Sequence, residues 1–324
     1  MQVSVIGCGR WGSLIAWYLD RAGHSVALYG REESPHFQAF LQTGRNDVLE
    51  LPQSVKLTSD LPEVCRAEVI LVSVPSQKLR ALMKELAALD LHGKDLVLCM
   101  KGLEVGSGKR LSQIVGEELA PDNRVAVWLG PGHVQEFLAG VPNCMVIDSR
   151  HGSLKKKLIE AFSGNLIRFY YGEDLIGNEI GAATKNVIGI AAGLLDGMHL
   201  STLKGALMSR GTHEIAGLIG AMGGNSFSAY GLCHLGDYEA TVFSPYSHNR
   251  AFGECIALGK PYASLAEGYA TAAAVMELAK QYGVELPICA AVYRILYQNA
   301  KPAEEIGALF NRSLKREWNS GKEF

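Results

Sequence analysis

The sequence has little with which to build a disulfide framework, a metal centre or a membrane span. Its seven cysteines, at positions 8, 65, 99, 144, 233, 255 and 289, are odd in number and form no CxxC pair. Most lie in apolar runs such as LVLCMKG and NCMVIDS, the setting of reduced, buried thiols in a cytoplasmic protein. The nine histidines show no HExxH or paired spacing, so no metal site is expected. No apolar run approaches the ~20 residues that cross a bilayer, so no membrane insertion is expected. The chain enters a strand-like run at once, without a basic and then apolar leader, and a cleaved signal peptide is not expected. An excess of one charge is missing too. Lys and Arg number 31 against 33 Asp and Glu, which argues against a protein that tracks nucleic-acid phosphates.

What is present is material for a large core. The 324 residues are 48% hydrophobic and 20% charged, enough for two packed domains. Up to about Tyr171, short β-rich runs alternate with helical stretches. The runs are VSVI (3–6), SVALY (25–29), VILVSV (69–74), DLVLCM (95–100), RVAVWL (124–129), CMVID (144–148) and LIRFYY (166–171). Several are apolar at nearly every position, as strands covered on both faces are. Stretches such as SLIAWYLDRA and QKLRALMKELAAL lie between them, and the succession predicts a parallel, doubly wound sheet. After Gly172 the strand runs stop. Helices are expected at 174–197, 202–222, 262–282 and 287–299, with Gly223 and Gly283 at C-cap positions and Pro287 opening the last. The fold class is α/β, with a sheet domain at 1–172 and an all-helical domain at 173–324.

The first turn of the sheet domain carries Gly7, Gly9 and Gly12 in GxGxxG spacing. The spacing alone is weak, because glycine is common in tight turns. Here it follows a strand, opens an amphipathic helix and is followed by Gly23 and a second strand. That context reads as a Rossmann dinucleotide site: Gly7 for the turn, Gly9 for approach of backbone to pyrophosphate, Gly12 for helix–strand contact. The second strand ends in Tyr29, Gly30 and Arg31, with acids only at Glu32 and Glu33. An arginine there suits a 2′-phosphate, so the sequence leans to NADP(H) over NAD(H). The alternative for Arg31 is an ordinary solvated loop charge.

Ligands of doubly wound sheets sit beyond the carboxyl ends of the strands. Three such ends are unusual: Pro75, Lys101-Gly102, and Gly130-Pro131-Gly132. In the helical half, EIGAATKNVIGIAAG sets one lysine among glycine, alanine and aliphatics. Gly177, Gly181, Lys185, Gly189 and Gly193 recur every four residues and form one stripe on the helix. Bare glycines let a backbone or a cofactor come close, and Lys185 should point at whatever meets that face. Tight helix packing with a snorkelling lysine is the competing reading. A third cluster, HLGDYEATVFSPYSHNRAFGE, carries Asp237, Thr241, Ser247, His248, Asn249 and Arg250 ahead of a helix start. It could bind a phosphate; taken without the other clusters, a polar loop with a conventional N-cap is the preferred reading.

Together GCGRWG, KG, GPGH, EIGAATKNVIGIAAGLLDG, SRGTHE, GDYEATVFSPYSHNR and AEGYAT resemble the bacterial-type NAD(P)-dependent glycerol-3-phosphate dehydrogenases, over nearly the whole chain. The resemblance implies a Rossmann domain, a helical domain and an active site between them. It implies reversible reduction of dihydroxyacetone phosphate to sn-glycerol 3-phosphate, supplying glycerophospholipid synthesis. By the same resemblance Lys185 is the proton donor and acceptor, with Lys101 and Asp237 beside it. The substrate contacts would be Lys101, Gly130, Gly132, Lys185, Asp237, Thr241, Ser247, His248 and Asn249. The cofactor contacts would be the glycine loop, Arg10, Trp11, Arg31, Lys101, Val134, His248 and Glu267.

The chain departs from the family pattern in four places. Arg10 replaces a small residue, and Gly132 replaces a serine or threonine. Val134 replaces an alanine, and His248 replaces an arginine. Either Arg10 or a protonated His248 would then supply the charge that the arginine carries. The expected partner is a small phosphorylated molecule, and a homodimer is left open. The competing readings are a related dehydrogenase of hydroxy-acids or other phosphorylated ketones, and a dinucleotide-binding sensor without catalysis.

Overall fold

A computed structural model of the chain describes residues 1–314 and 316–317. Eight strands form one sheet: β1 (Gln2–Ile6), β2 (Ser25–Tyr29), β3 (Lys56–Thr58), β4 (Val69–Val72), β5 (Asp95–Leu98), β6 (Arg124–Leu129), β7 (Asn143–Ser149) and β8 (Ile167–Tyr171). Their order is β3-β2-β1-β4-β5-β6-β7-β8. All residues of β4 and β5 are buried, which is why VILV and DLVL show no alternation.

The expected all-parallel sheet needs one correction: β6 and β7 pair antiparallel, with Leu129 opposite Val146. The connection between them holds only the five-residue helix Val134–Leu138. That is too short to cross the sheet face, so the chain turns back at the edge it left. β3 is not among the expected strands, because its three residues carry too little pattern to register.

The described elements after Tyr171 are helical: Leu175–Gly197, Lys204–Ala221, His248–Ala257, Glu267–Tyr282, Pro287–Tyr297 and Pro302–Phe310, with short turns between them. The fourth starts five residues later than the expected 262, and the last was not anticipated. Among the described residues no helix is long and apolar enough to cross a membrane.

The Leu175–Gly197 helix is the axis of this half, buried without interruption from Gly177 to Leu195. Its glycine stripe meets neighbouring protein, side chains at Gly177, Gly181 and Gly189 and main chain at Gly193. A Cβ at Gly193 would lie 1.9 Å from the Arg250 carbonyl oxygen, and one at Gly253 would lie 2.1 Å from that of Ile190. The two helices therefore cross with their main chains in contact. Ala182 of this helix shares a buried cluster with Leu98, Val127 and Val146 of the sheet, so the halves are packed directly together. A buried ion pair joins them as well: Glu179 accepts from the Arg110 guanidinium, from Ser112 N at 2.9 Å and from Ser112 Oγ at 2.6 Å.

Candidate active site

Close helix packing accounts for the glycines but not for the lysine among them. The Lys185 side chain is 10% exposed, and its Nζ donates to Thr241 Oγ1 at 2.6 Å and lies 3.1 Å from Asp237 Oδ2. The same carboxylate oxygen takes Lys101 Nζ at 2.6 Å. Two cations thus flank one buried anion. Burial pulls the Lys185 pKa down to about 8; the Asp237 charge opposes this and the Lys101 charge adds to it.

The elements around this triad explain its geometry. Lys101 follows β5 at the carboxyl edge of the sheet, and its Nζ also donates to the Gly130 carbonyl, just past β6, at 2.5 Å. Asn186, next to the lysine, donates to the Lys101 carbonyl at 3.2 Å and accepts from Asn249 at 3.0 Å. Thr241 sits in a wide turn, Glu239–Phe243, closed by a Ser244 N to Glu239 O bond of 3.2 Å. Such i→i+5 turns are rare and are frequently found at functional sites. The Thr241 hydroxyl donates to the Asp237 carbonyl at 2.7 Å, which leaves its lone pairs to the ammonium. Asp237 Oδ1 is buried and, among the described residues, has no hydrogen-bond partner. A carboxylate oxygen left in that state costs about 1–3 kcal/mol until something donates to it.

The glycine loop lies at the same edge. Gly7 has φ +113°, and a Cβ there would strike the Ser73 carbonyl at 2.1 Å. One at Gly12 would lie 1.9 Å from the Gly7 oxygen, so this glycine sets the helix against the strand. Gly9 precedes the Arg10–Arg21 helix, and a Cβ there meets nothing within 4 Å. Open space at a helix N-terminus fits a dinucleotide pyrophosphate. Trp11 packs on Phe137, ring centroids 6.1 Å apart.

Two departures from the family pattern meet here. Arg10 Nη1 lies 3.3 Å from His248 Nε2, and its Nε is 3.5 Å from Asp47 Oδ2, an ion pair too long to be a hydrogen bond. Burial and then the Arg10 charge push the His248 pKa down, which disfavours the charged imidazole, whereas the Arg10 guanidinium is a permanent cation at this point.

Other expected contacts are already engaged. Glu267 accepts from Ser76 N at 3.1 Å and Ser76 Oγ at 2.5 Å, beyond β4, and ties the helical half to the sheet. Arg31 pairs with Glu85 at 3.0 Å, and Glu32 turns to Ser59 instead. The Val134 side chain is buried in the apolar cluster with Trp128 and Phe137, so only its main chain is left for a cofactor. Gly132 has φ +132° and Phe137 packed where its Cβ would be, which explains the missing serine or threonine.

The third cluster is largely structural. Ser247 is the N-cap of His248–Ala257, accepting from Arg250 N at 3.3 Å. The Asn249 side-chain oxygen Oδ1 accepts from Gly268 N at 2.9 Å. Arg250 is held through Nη1 by Asp196 and Glu254 at 2.8 and 3.1 Å. His133, which bonds the Ala240 carbonyl at 2.7 Å, and Asn186 are not among the expected site residues; GPGH and KN are the signals that point to them. Among the described residues no group of three or more His, Cys, Asp or Glu is placed to hold a metal ion.

Comparison with known proteins agrees with this geometry. Residues 2–155 match the family model for the NAD-dependent glycerol-3-phosphate dehydrogenase N-terminus, and residues 174–307 that for its C-terminus. The chain is 36% identical to a glycerol-3-phosphate dehydrogenase [NAD(P)+] of Pelodictyon phaeoclathratiforme, covering 98% of this chain and 99% of the other. It is 35% identical to one from Prosthecochloris aestuarii, covering 98% and 100%. The crystal structure of glycerol-3-phosphate dehydrogenase (gpsA) from Coxiella burnetii superposes with a TM-score of 0.91 at 29% identity, covering 96% of this chain and 99% of that one. The chain belongs to the NAD-dependent glycerol-3-phosphate dehydrogenase family.

Proposed function

We propose that this chain catalyses the reversible NAD(P)H-dependent reduction of dihydroxyacetone phosphate to sn-glycerol 3-phosphate, feeding glycerophospholipid synthesis. The observation that carries the reading is the buried Lys185 amine, 2.6 Å from Thr241 and 3.1 Å from Asp237, which also binds Lys101. Residues 1–172 hold the dinucleotide and residues 173–324 bring the lysine to it. When bound, the nicotinamide supplies a hydride to the carbonyl carbon. Lys185 gives a proton to the oxygen as negative charge builds there, and takes it back in the oxidative direction. An ammonium has three N–H groups, and Thr241 and Asp237 leave one for the substrate oxygen. Lys101 likewise keeps one N–H beyond Gly130 and Asp237, and its charge steadies the developing alkoxide. The unpartnered Asp237 Oδ1 accepts from a substrate hydroxyl, which a small polyol phosphate offers.

Gly7, Gly9, Gly12, Arg10 and the Val134 main chain hold the dinucleotide. Arg31 tips the preference toward NADP(H) by leaving Glu85 for the 2′-phosphate. The free cysteines at all seven positions are in keeping with a cytoplasmic protein.

Following NADPH and NADH absorbance with purified protein, dihydroxyacetone phosphate should be reduced and dihydroxyacetone should not. Equal rates with both would point to another ketone. Such acid–base assistance is worth about 10²–10⁴-fold, so Lys185→Ala should lose turnover by that order while still binding cofactor. Arg31→Ala should cut kcat/KM for NADPH about tenfold and leave NADH unchanged, the loss of one charge-assisted hydrogen bond. An unaltered NADPH/NADH ratio would remove Arg31 from the site.

A further inference from the structure

His234 takes no part in the chemistry above, yet its imidazole is fully buried against Gly181, one helical turn before the lysine. Its Nδ1 lies 2.8 Å from the Gly181 carbonyl and its Nε2 lies 2.7 Å from the Tyr238 hydroxyl. A carbonyl only accepts, so Nδ1 carries the proton and Nε2 accepts from the tyrosine. The ring is neutral, with burial pulling its pKa down to about 4. Gly181 precedes Lys185 by four residues on the same helix. A Cβ at Gly181 would come 3.0 Å from the His234 Cβ, so the glycine makes room for the contact.

The far side of the imidazole reaches the segment that carries both partners of Lys185. Tyr238 follows Asp237 directly. Asp237 N donates to the His234 carbonyl at 3.0 Å, and Thr241 N donates to the Tyr238 carbonyl at 3.0 Å. One neutral ring thus joins the lysine helix to the segment presenting the Asp237 carboxylate and the Thr241 hydroxyl.

We propose that His234 and Tyr238 are positioning residues that hold Asp237 and Thr241 against Lys185. The proposal rests on the reading of Lys185 as the proton-transferring group. The titratable groups around that amine are Asp237 and Lys101, with His133 and His234 further out. Asp237 is the one that favours the ammonium. Loosening its segment weakens that support, so the lysine loses its proton at lower pH and is less well aimed.

His234→Ala should lower kcat for ketone reduction by tenfold or more and move the upper limb of its pH profile down by at least half a pH unit. KM for the cofactor should stay within twofold. His234→Gln keeps a donor and an acceptor and should recover most of both effects. Tyr238→Phe should shift the limb in the same direction by less, and it carries the test if His234→Ala does not fold. An unchanged pH limb in the folded variants, or a glutamine variant no better than the alanine one, would overturn the proposal. Lys185→Ala, run alongside, separates the two ideas. If it retains turnover, the assignment of Lys185 is wrong. If it is inactive while the His234 and Tyr238 variants keep the native limb, only the positioning role is lost.

Discussion

The charge state of Lys185 links a single side chain to the direction of reaction. The ammonium donates in reduction and the neutral amine accepts in oxidation. With a pKa of about 8, reductive kcat should fall as pH rises through 8, and oxidative kcat should rise through the same pH. Measuring kcat in both directions at saturating substrate checks this; two limbs moving together would deny the lysine its role. Stability follows the same group. The unfolded lysine holds its proton up to about pH 10.4 and the folded one releases it near 8, so this group makes stability rise with pH between those values. At this scale much was legible. Lys185 stood out as the one long side chain on a glycine stripe, and Lys101 as a strand-end lysine before glycine. Ser247, Asn249 and Arg250 could not be resolved, because the residue types that cap a helix are the same ones that bind phosphate. His234 was invisible, since nothing local says which carbonyl a histidine will meet.

Among the elements, the contrast between crowded and open glycines gives opposite outcomes for one substitution. Gly193→Ala sets a methyl into the Arg250 carbonyl and must push two helices apart. It should cost about 1–3 kcal/mol or more. Gly217 is exposed inside Lys204–Ala221 with nothing within 4 Å of its Cβ position. Gly217→Ala should gain about 1 kcal/mol of helix stability. Urea unfolding of both variants measures the two shifts, and shifts of the same sign would contradict this account of the stripe. The strands and long helices were readable because their apolar patterns persist over enough residues. The reversal at β7 was not, because strand direction depends on whether a connection crosses the sheet, and the five-residue helix there gave no such signal. The wide turn at Glu239–Phe243 has no sequence signature of its own.

For the whole molecule, the division into a sheet half and a helical half could be read from periodicity, but the join could not. Arg110 lies at an ordinary helix start, and Glu179 is one acid in an apolar helix. Only the fold brings them together as a buried pair. Glu179→Ala leaves Arg110 buried alone and should cost about 3–5 kcal/mol in urea unfolding. Replacing both partners with apolar residues of similar volume should recover part of that loss. If the single variant were as stable as the native chain, the pair would not be holding the halves together. The same pair governs how parts of this protein can be exchanged with those of a relative. A chimera spliced near residue 172 takes position 110 from one parent and position 179 from the other. Unless the parents agree at both, the hybrid seals a lone charge into its seam, so a crossover that keeps the two positions from one source is the one to build.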